Sequence, residues 1–142
     1  MPTDALALDY LRDVSARMTT TYLDDCVAHA TRIAALLIVG DCAPWIASIR
    51  DVTNEGSYEM HHPLIPSRFP AMTWNVHYVC CNGTQAYDPI IGEPCSVDEL
   101  AMNVFGRAIT VGEAVSVADV ARLATAEVLK THIASLRRLR KG

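Results

Sequence analysis

Along residues 3–18 (TDALALDYLRDVSARM), Leu6, Tyr10, Val14 and Met18 recur at every fourth position, and Thr3 or Asp4 can cap the run. That spacing predicts an amphipathic helix. The polar stretch Thr19, Thr20, Thr21, Tyr22 ends the pattern. Asp24 or Asp25 can then cap a second helix that begins around Cys26, and Gly40 can terminate it. Residues 27–39 are apolar on nearly every face, interrupted at His29, Thr31 and Arg32, so this helix is expected to be buried at the centre of the fold. Residues 43–52 read as a strand. Residues 53–70, with three prolines and the His61, His62 pair, read as a long surface loop, a kind of segment that tends to be functional. Residues 72–80 and 84–91 are rich in Val, Tyr, Trp and Thr and predict two strands joined at Asn82, Gly83, a strong short-range hairpin signal. A short helix is expected over 97–105. A final helix is expected from Val117 to about Arg140, opened by Ser116 with Asp119 three residues on.

The composition narrows the class. The chain has 142 residues, 51% hydrophobic and 20% charged, with a net charge of −4, which excludes a disordered chain and predicts one domain over residues 1–142. Aromatics are only 6%, so the core must be mostly Ala, Val, Leu and Ile. The longest strongly apolar run, residues 33–39, is far short of the roughly 20 residues needed to span a bilayer. Asp4, Asp9 and Asp13 stand where a secretion signal would carry basic and then apolar residues, so the expected location is the cytoplasm, with export by a specialised machine as the other route. The charge is unevenly distributed. All 16 acidic residues precede position 130, whereas residues 130–142 hold Lys130, Arg137, Arg138, Arg140 and Lys141 and no acid. A basic helix end favoured by its own dipole accounts for this. No aromatic residue interleaves the basic ones, so no nucleic-acid partner is expected.

Cys26, Cys42, Cys80, Cys81 and Cys95 make an odd set with two adjacent members, which is no disulfide framework. Together with His29, His61 and His62 they are potential zinc ligands. There is no CxxC pair, and Cys26-x-x-His29 has no matching second half, so neither metal nor organic cofactor is expected.

The hairpin carries a geometric deduction. With Asn82 and Gly83 as the loop, His77 falls opposite Asp88, on the same face and close enough to hydrogen-bond. A carboxylate there fixes the imidazole tautomer and favours the imidazolium. Cys26 stands at the predicted start of the buried helix, where unpaired backbone N–H groups and the dipole favour a thiolate and can serve as part of an oxyanion hole. Asp24 and Asp25 oppose that ionisation unless they are used in capping. His29, one turn beyond Cys26, reads as a wall or core residue, because a strand can bring a nonlocal imidazole to the thiolate from outside the helix.

Cys26 at the head of an Ala/Leu-rich helix, followed by WNVHYVCCNGTQAYDPIIG over residues 74–92, resembles the papain-like superfamily in its compact transglutaminase-like and bacterial papain-fold toxin or deamidase forms. The resemblance covers about residues 20–95. It implies Cys26 as nucleophile, His77 as general base and acid, and Asp88 as orienter, with Tyr87, Pro89 and Gly92 continuing the pattern. Thr20, Thr21 and Tyr22 stand where family members often place the Gln or Asn of the oxyanion hole. Tyr22, His62 and Trp74 are the expected substrate-binding residues. The expected fold class is α+β, a buried Cys-bearing helix on a small antiparallel sheet with helices at both ends. The expected function is thiol-dependent acyl transfer on an amide of a protein or peptide substrate, as deamidase, peptidase or transglutaminase. The other class is a non-catalytic binding module on the same fold.

Overall fold

Residues 26–39 contain no glycine or proline, and their Ala, Leu and Ile content suits a helix that packs on all sides. In the computed structural model they form α2 (Cys26–Val39), with Cys26, Ala30, Thr31, Ile33, Ala34 and Leu37 buried. Thr31, a polar side chain inside this packing, donates to the carbonyl of Val27 at 2.8 Å, one turn back. The structure describes residues 1–17, 26–51, 60–61, 73–74, 76–100 and 109–141. Met18, Tyr22, Asp24, Asp25, His62, and most of the 53–70 loop lie outside the described residues, as does 101–105 of the expected short helix.

The other elements are α1 (Ala5–Arg17), β1 (Pro44–Asp51), β2 (Met60–His61), β3 (Thr73–Trp74), β4 (His77–Asn82), β5 (Gln85–Tyr87), β6 (Cys95–Ser96), α3 (Val97–Leu100), β7 (Ile109–Val115), α4 (Val117–Leu123) and α5 (Ala126–Lys141). A five-stranded antiparallel sheet has the order β6-β5-β4-β1-β7, and β2 pairs with β3 in a separate two-stranded sheet. The class is α+β. α2 packs on β4 and β1 and is flanked by α1 and α5. The central strands are buried on both faces: His77, Tyr78, Val79, Cys80 and Cys81 in β4, and Ile46, Ala47, Ser48 and Ile49 in β1. No helix among the described residues is long and apolar enough to cross a membrane.

Four expectations need correcting, and one strand is additional. In α1 the buried stripe is Ala7, Leu11, Val14, while Leu6 is 48% exposed. Ala5, Leu6, Ala7 and Leu8 are all apolar, so spacing alone offered two faces, and packing against α2 selected one. The 72–80 strand is two strands, β3 and β4, belonging to different sheets. The 84–91 strand stops at Tyr87, because Asp88 accepts from the backbone N–H groups of Ile91 and Gly92 and starts a turn. The last helix is two: Ala124 adopts a left-handed conformation at φ 59°, and Thr125 caps α5 by accepting from the N–H of Val128. β7 was not foreseen, although Ile109, Thr110 and Val111 are β-branched.

The end of α2 shows how tightly α1 is tied to it. Cys42 N–H donates to Leu37 O and Asp41 N–H to Ile38 O, the paired bonds of a Schellman cap, with Asp41 rather than a glycine in the left-handed position at φ 62°. Gly40 is needed for another reason. The Thr3 N–H donates to Gly40 O at 2.8 Å, and a Cβ at position 40 would collide with the Thr3 carbonyl. Gly40→Ala should therefore destabilise by about 2 kcal/mol. Asp41→Gly should instead stabilise by roughly 0.5–1 kcal/mol, since it relieves the left-handed backbone cost. Urea denaturation of the two variants checks the opposite signs.

Candidate active site

The hairpin brings His77 and Asp88 together by a different register from the one the Asn82, Gly83 dipeptide suggests. Cys80 pairs with Tyr87, Cys81 with Ala86 and Asn82 with Gln85, so the loop residues are Gly83 and Thr84. Gly83 takes φ 61° at the first central position, as a type II′ turn requires. Continued along the strands, this pairing sets Val79, not His77, against Asp88. The slip is two residues, so side-chain parity survives: His77 and Asp88 still share a face, as diagonal rather than direct neighbours, and both side chains are long enough to meet. His77 Nε2 and Asp88 Oδ2 are 2.6 Å apart. The second carboxylate oxygen, Oδ1, accepts from the Ile90 N–H at 3.0 Å. Both oxygens of Asp88 are thus held, one by the ring and one by the turn.

Cys26 is the first residue of α2, at the end where backbone N–H groups lack helical acceptors. Its thiol hydrogen-bonds the His77 ring and also receives the backbone N–H of Tyr78. Asp88 takes Nε2, and the other ring nitrogen, Nδ1, is buried as well. Cys26 is 6% exposed, and His77 and Asp88 are 0% exposed. The three expected catalytic residues therefore converge beneath the surface of the fold.

Burial pushes the Cys26 thiol up, but the His77 imidazolium, through hydrogen bond and charge, and the Tyr78 N–H outweigh it, so its pKa lies below the ordinary 9.0. Burial alone would drive His77 down; the Asp88 carboxylate, by charge and by hydrogen bond, outweighs it and raises the ring to about 10, with Cys26 adding to the effect. Both shifts favour the charged forms, a thiolate at Cys26 and an imidazolium at His77. Other thiols move the opposite way: burial pushes Cys80 well up, Cys81 up to about 12 and Cys95 up to about 11. All five cysteines are free.

Of the expected substrate-binding residues, Tyr22 and His62 lie outside the described residues, and Trp74 is on β3, opposite Met60 of β2. His61 is on β2, opposite Thr73. His29, expected as a wall or core residue and not as the base, has its Nδ1 2.9 Å from the Tyr10 hydroxyl across the α1–α2 contact. Among the described residues, no group of three or more His, Cys, Asp and Glu side chains is placed to hold a metal ion. Two contacts were beyond sequence reasoning, the N–H groups of Tyr78 and Ile90, since backbone donors leave no mark on residue identity.

The ion pair has a consequence for stability. The lowered pKa of Cys26 makes stability rise with pH towards 9, while the raised pKa of His77 makes it fall from 6.5 towards 10, so the two slopes oppose each other. Cys26→Ala removes the compensation. Asp88 still holds the His77 pKa above 6.5, so as pH rises the unfolded chain releases a proton the folded chain keeps, and stability falls. The slope is at most about 1.4 kcal/mol per pH unit. Urea unfolding of both chains from about pH 6 to 9 should show the variant losing ground steadily; parallel curves would mean the ring is not held protonated. Comparison of the chain with protein-family models, with curated proteins and with solved structures returns no match.

Proposed function

We propose that this chain is a thiol-dependent acyl-transfer enzyme of compact papain-like fold, acting on an amide of a protein or peptide through Cys26, His77 and Asp88. The single observation that supports the reading is the relay itself: a thiol at a helix N-terminus, interacting with an imidazole whose Nε2 is 2.6 Å from a buried carboxylate. Nucleophile, base and orienter stand in the order that such chemistry needs.

The Cys26 sulfur attacks the amide carbonyl carbon as the thiolate, its proton held by His77, and the carbonyl π electrons move to oxygen. N–H groups at the start of α2 are suited to stabilise that oxyanion. Collapse re-forms the carbonyl, breaks the C–N bond, and takes the proton of His77 onto the departing nitrogen, leaving a thioester and a neutral ring. Water then attacks the thioester while the ring takes its proton, and the thiolate leaves, restoring the ion pair. Loss of ammonia from glutamine makes this a deamidase, cleavage of a backbone amide a peptidase, and capture by an amine a transglutaminase. The first half-reaction is common to all three. Asp88, held through both oxygens, keeps the ring in the tautomer and orientation that serve each step.

The near-complete covering of the sulfur favours one second reading, a binding module whose polar triad is a core feature. Alkylation separates the two. For an enzyme, iodoacetamide near neutral pH should modify Cys26 ahead of the other four thiols, and His77→Ala should slow that reaction. Labelling of Cys26 no faster than the rest selects the binder. Against a peptide library scored by mass spectrometry for ammonia loss or cleavage, Asp88→Asn should keep the fold and lower turnover by about 10³–10⁴-fold. Unchanged turnover removes Asp88 from the mechanism.

A further inference from the structure

His77 sits in a central strand and Cys26 in the central helix, both clamped by the core. Asp88 lies in neither. It follows the last residue of β5 and opens a turn running to Gly92, in a segment with little regular structure of its own. That segment meets α1, and Asp4 just before it, at three points. Immediately before Asp88, the Tyr87 hydroxyl donates to Asp4 Oδ2 at 2.7 Å. Just after the turn, Arg12 grips Glu93 with two bonds, Nε to Oε1 at 3.0 Å and a terminal nitrogen to Oε2 at 3.1 Å. Between them Gly92, at φ 86°, runs so close to α1 that a Cβ would lie 2.6 Å from Ser15 Oγ and 3.2 Å from Ser15 Cβ.

Asp4 immediately precedes α1 and Arg12 and Ser15 lie within it, so together they run along most of its length, and their partners span 87–93. This is more than surface decoration around a turn. The Arg12–Glu93 pair alone is solvent-exposed and contributes little energy. Its value is geometric, since bonds at both ends of the turn and a close approach between them restrict where the turn can sit against α1.

We infer that α1 is the element that positions Asp88 against His77, with Gly92 and Tyr87 as positioning residues for the triad. The inference rests on the proposed function above, because it assigns a source for the precision that reaction needs. Displacing the turn by the width of a methyl group would lengthen the bond from Asp88 to the ring, and the imidazolium would lose the charge that holds it.

The test is the titration of His77, followed by NMR of protein labelled with ¹⁵N-histidine. In the native chain the ring should stay protonated through neutral pH, with a midpoint near 10. Gly92→Ala should lower that midpoint by about one pH unit or more. Adding Ser15→Ala, which removes the Oγ that the new methyl meets, should recover part of the loss. Should Gly92→Ala fail to fold, the paired change Tyr87→Phe with Arg12→Ala cuts two attachments without forcing the backbone, and the same fall is expected. A folded variant whose midpoint matches the native chain overturns the inference. A native midpoint near 6.5 instead overturns the catalytic reading, so the two failures look different.

Discussion

An imidazole and a carboxylate 2.6 Å apart, with neither side chain touching solvent, must be satisfied wholly by protein groups. Water cannot supply a missing bond, and a buried charge left alone costs several kcal/mol. That requirement governs the surrounding architecture. Asp88 spends one oxygen on the ring and the other on the Ile90 N–H. The ring, charged by the carboxylate, needs a second acceptor and finds it in Cys26. The sulfur in turn takes the Tyr78 N–H and the open end of α2. Each group is tolerated in the core because the next one completes it.

The elements carrying these groups are of unequal stiffness. β4 is an interior strand paired on both sides, and α2 is wrapped by β4, β1, α1 and α5. The turn after β5 has no ladder or helix of its own; Ile90 anchors it in the core, and Asp4 with α1 holds it at Tyr87, Gly92 and Glu93. The N-terminal helix is therefore coupled to both halves of the site: to the Asp88 turn along its length, and to the far end of α2 through Thr3 and Gly40. A polar relay inside an apolar core also explains the contrast among the thiols. Burial raises Cys80 and Cys81, while the same burial is overruled at Cys26 by His77 and the Tyr78 N–H.

Much of this was legible in residue order, for identifiable reasons. The α2 core helix follows from an uninterrupted apolar run, and the Ser116 cap from a hydroxyl three residues before its donor. The pairing of His77 with Asp88 survived a wrong choice of turn, because strands alternate with period two and the slip was also two. An odd slip would have put the ring and the carboxylate on opposite faces. The division of residues 72–80 between two sheets, the break at Ala124 and the selection of Ala7 over Leu6 were not legible, since each depends on what packs alongside.

The sequence by itself determined the α+β class, the central apolar helix with a thiol at its head, and which face of the hairpin carries the imidazole and the carboxylate. These are local matters of periodicity, propensity and parity, and a short stretch of chain contains all the information they need. Only the tertiary structure decided that the sulfur meets the ring, that a Tyr78 N–H joins them, and that α1 holds the Asp88 turn. Those contacts join residues tens of positions apart, some through backbone atoms common to every amino acid, so their geometry exists only once the chain has packed.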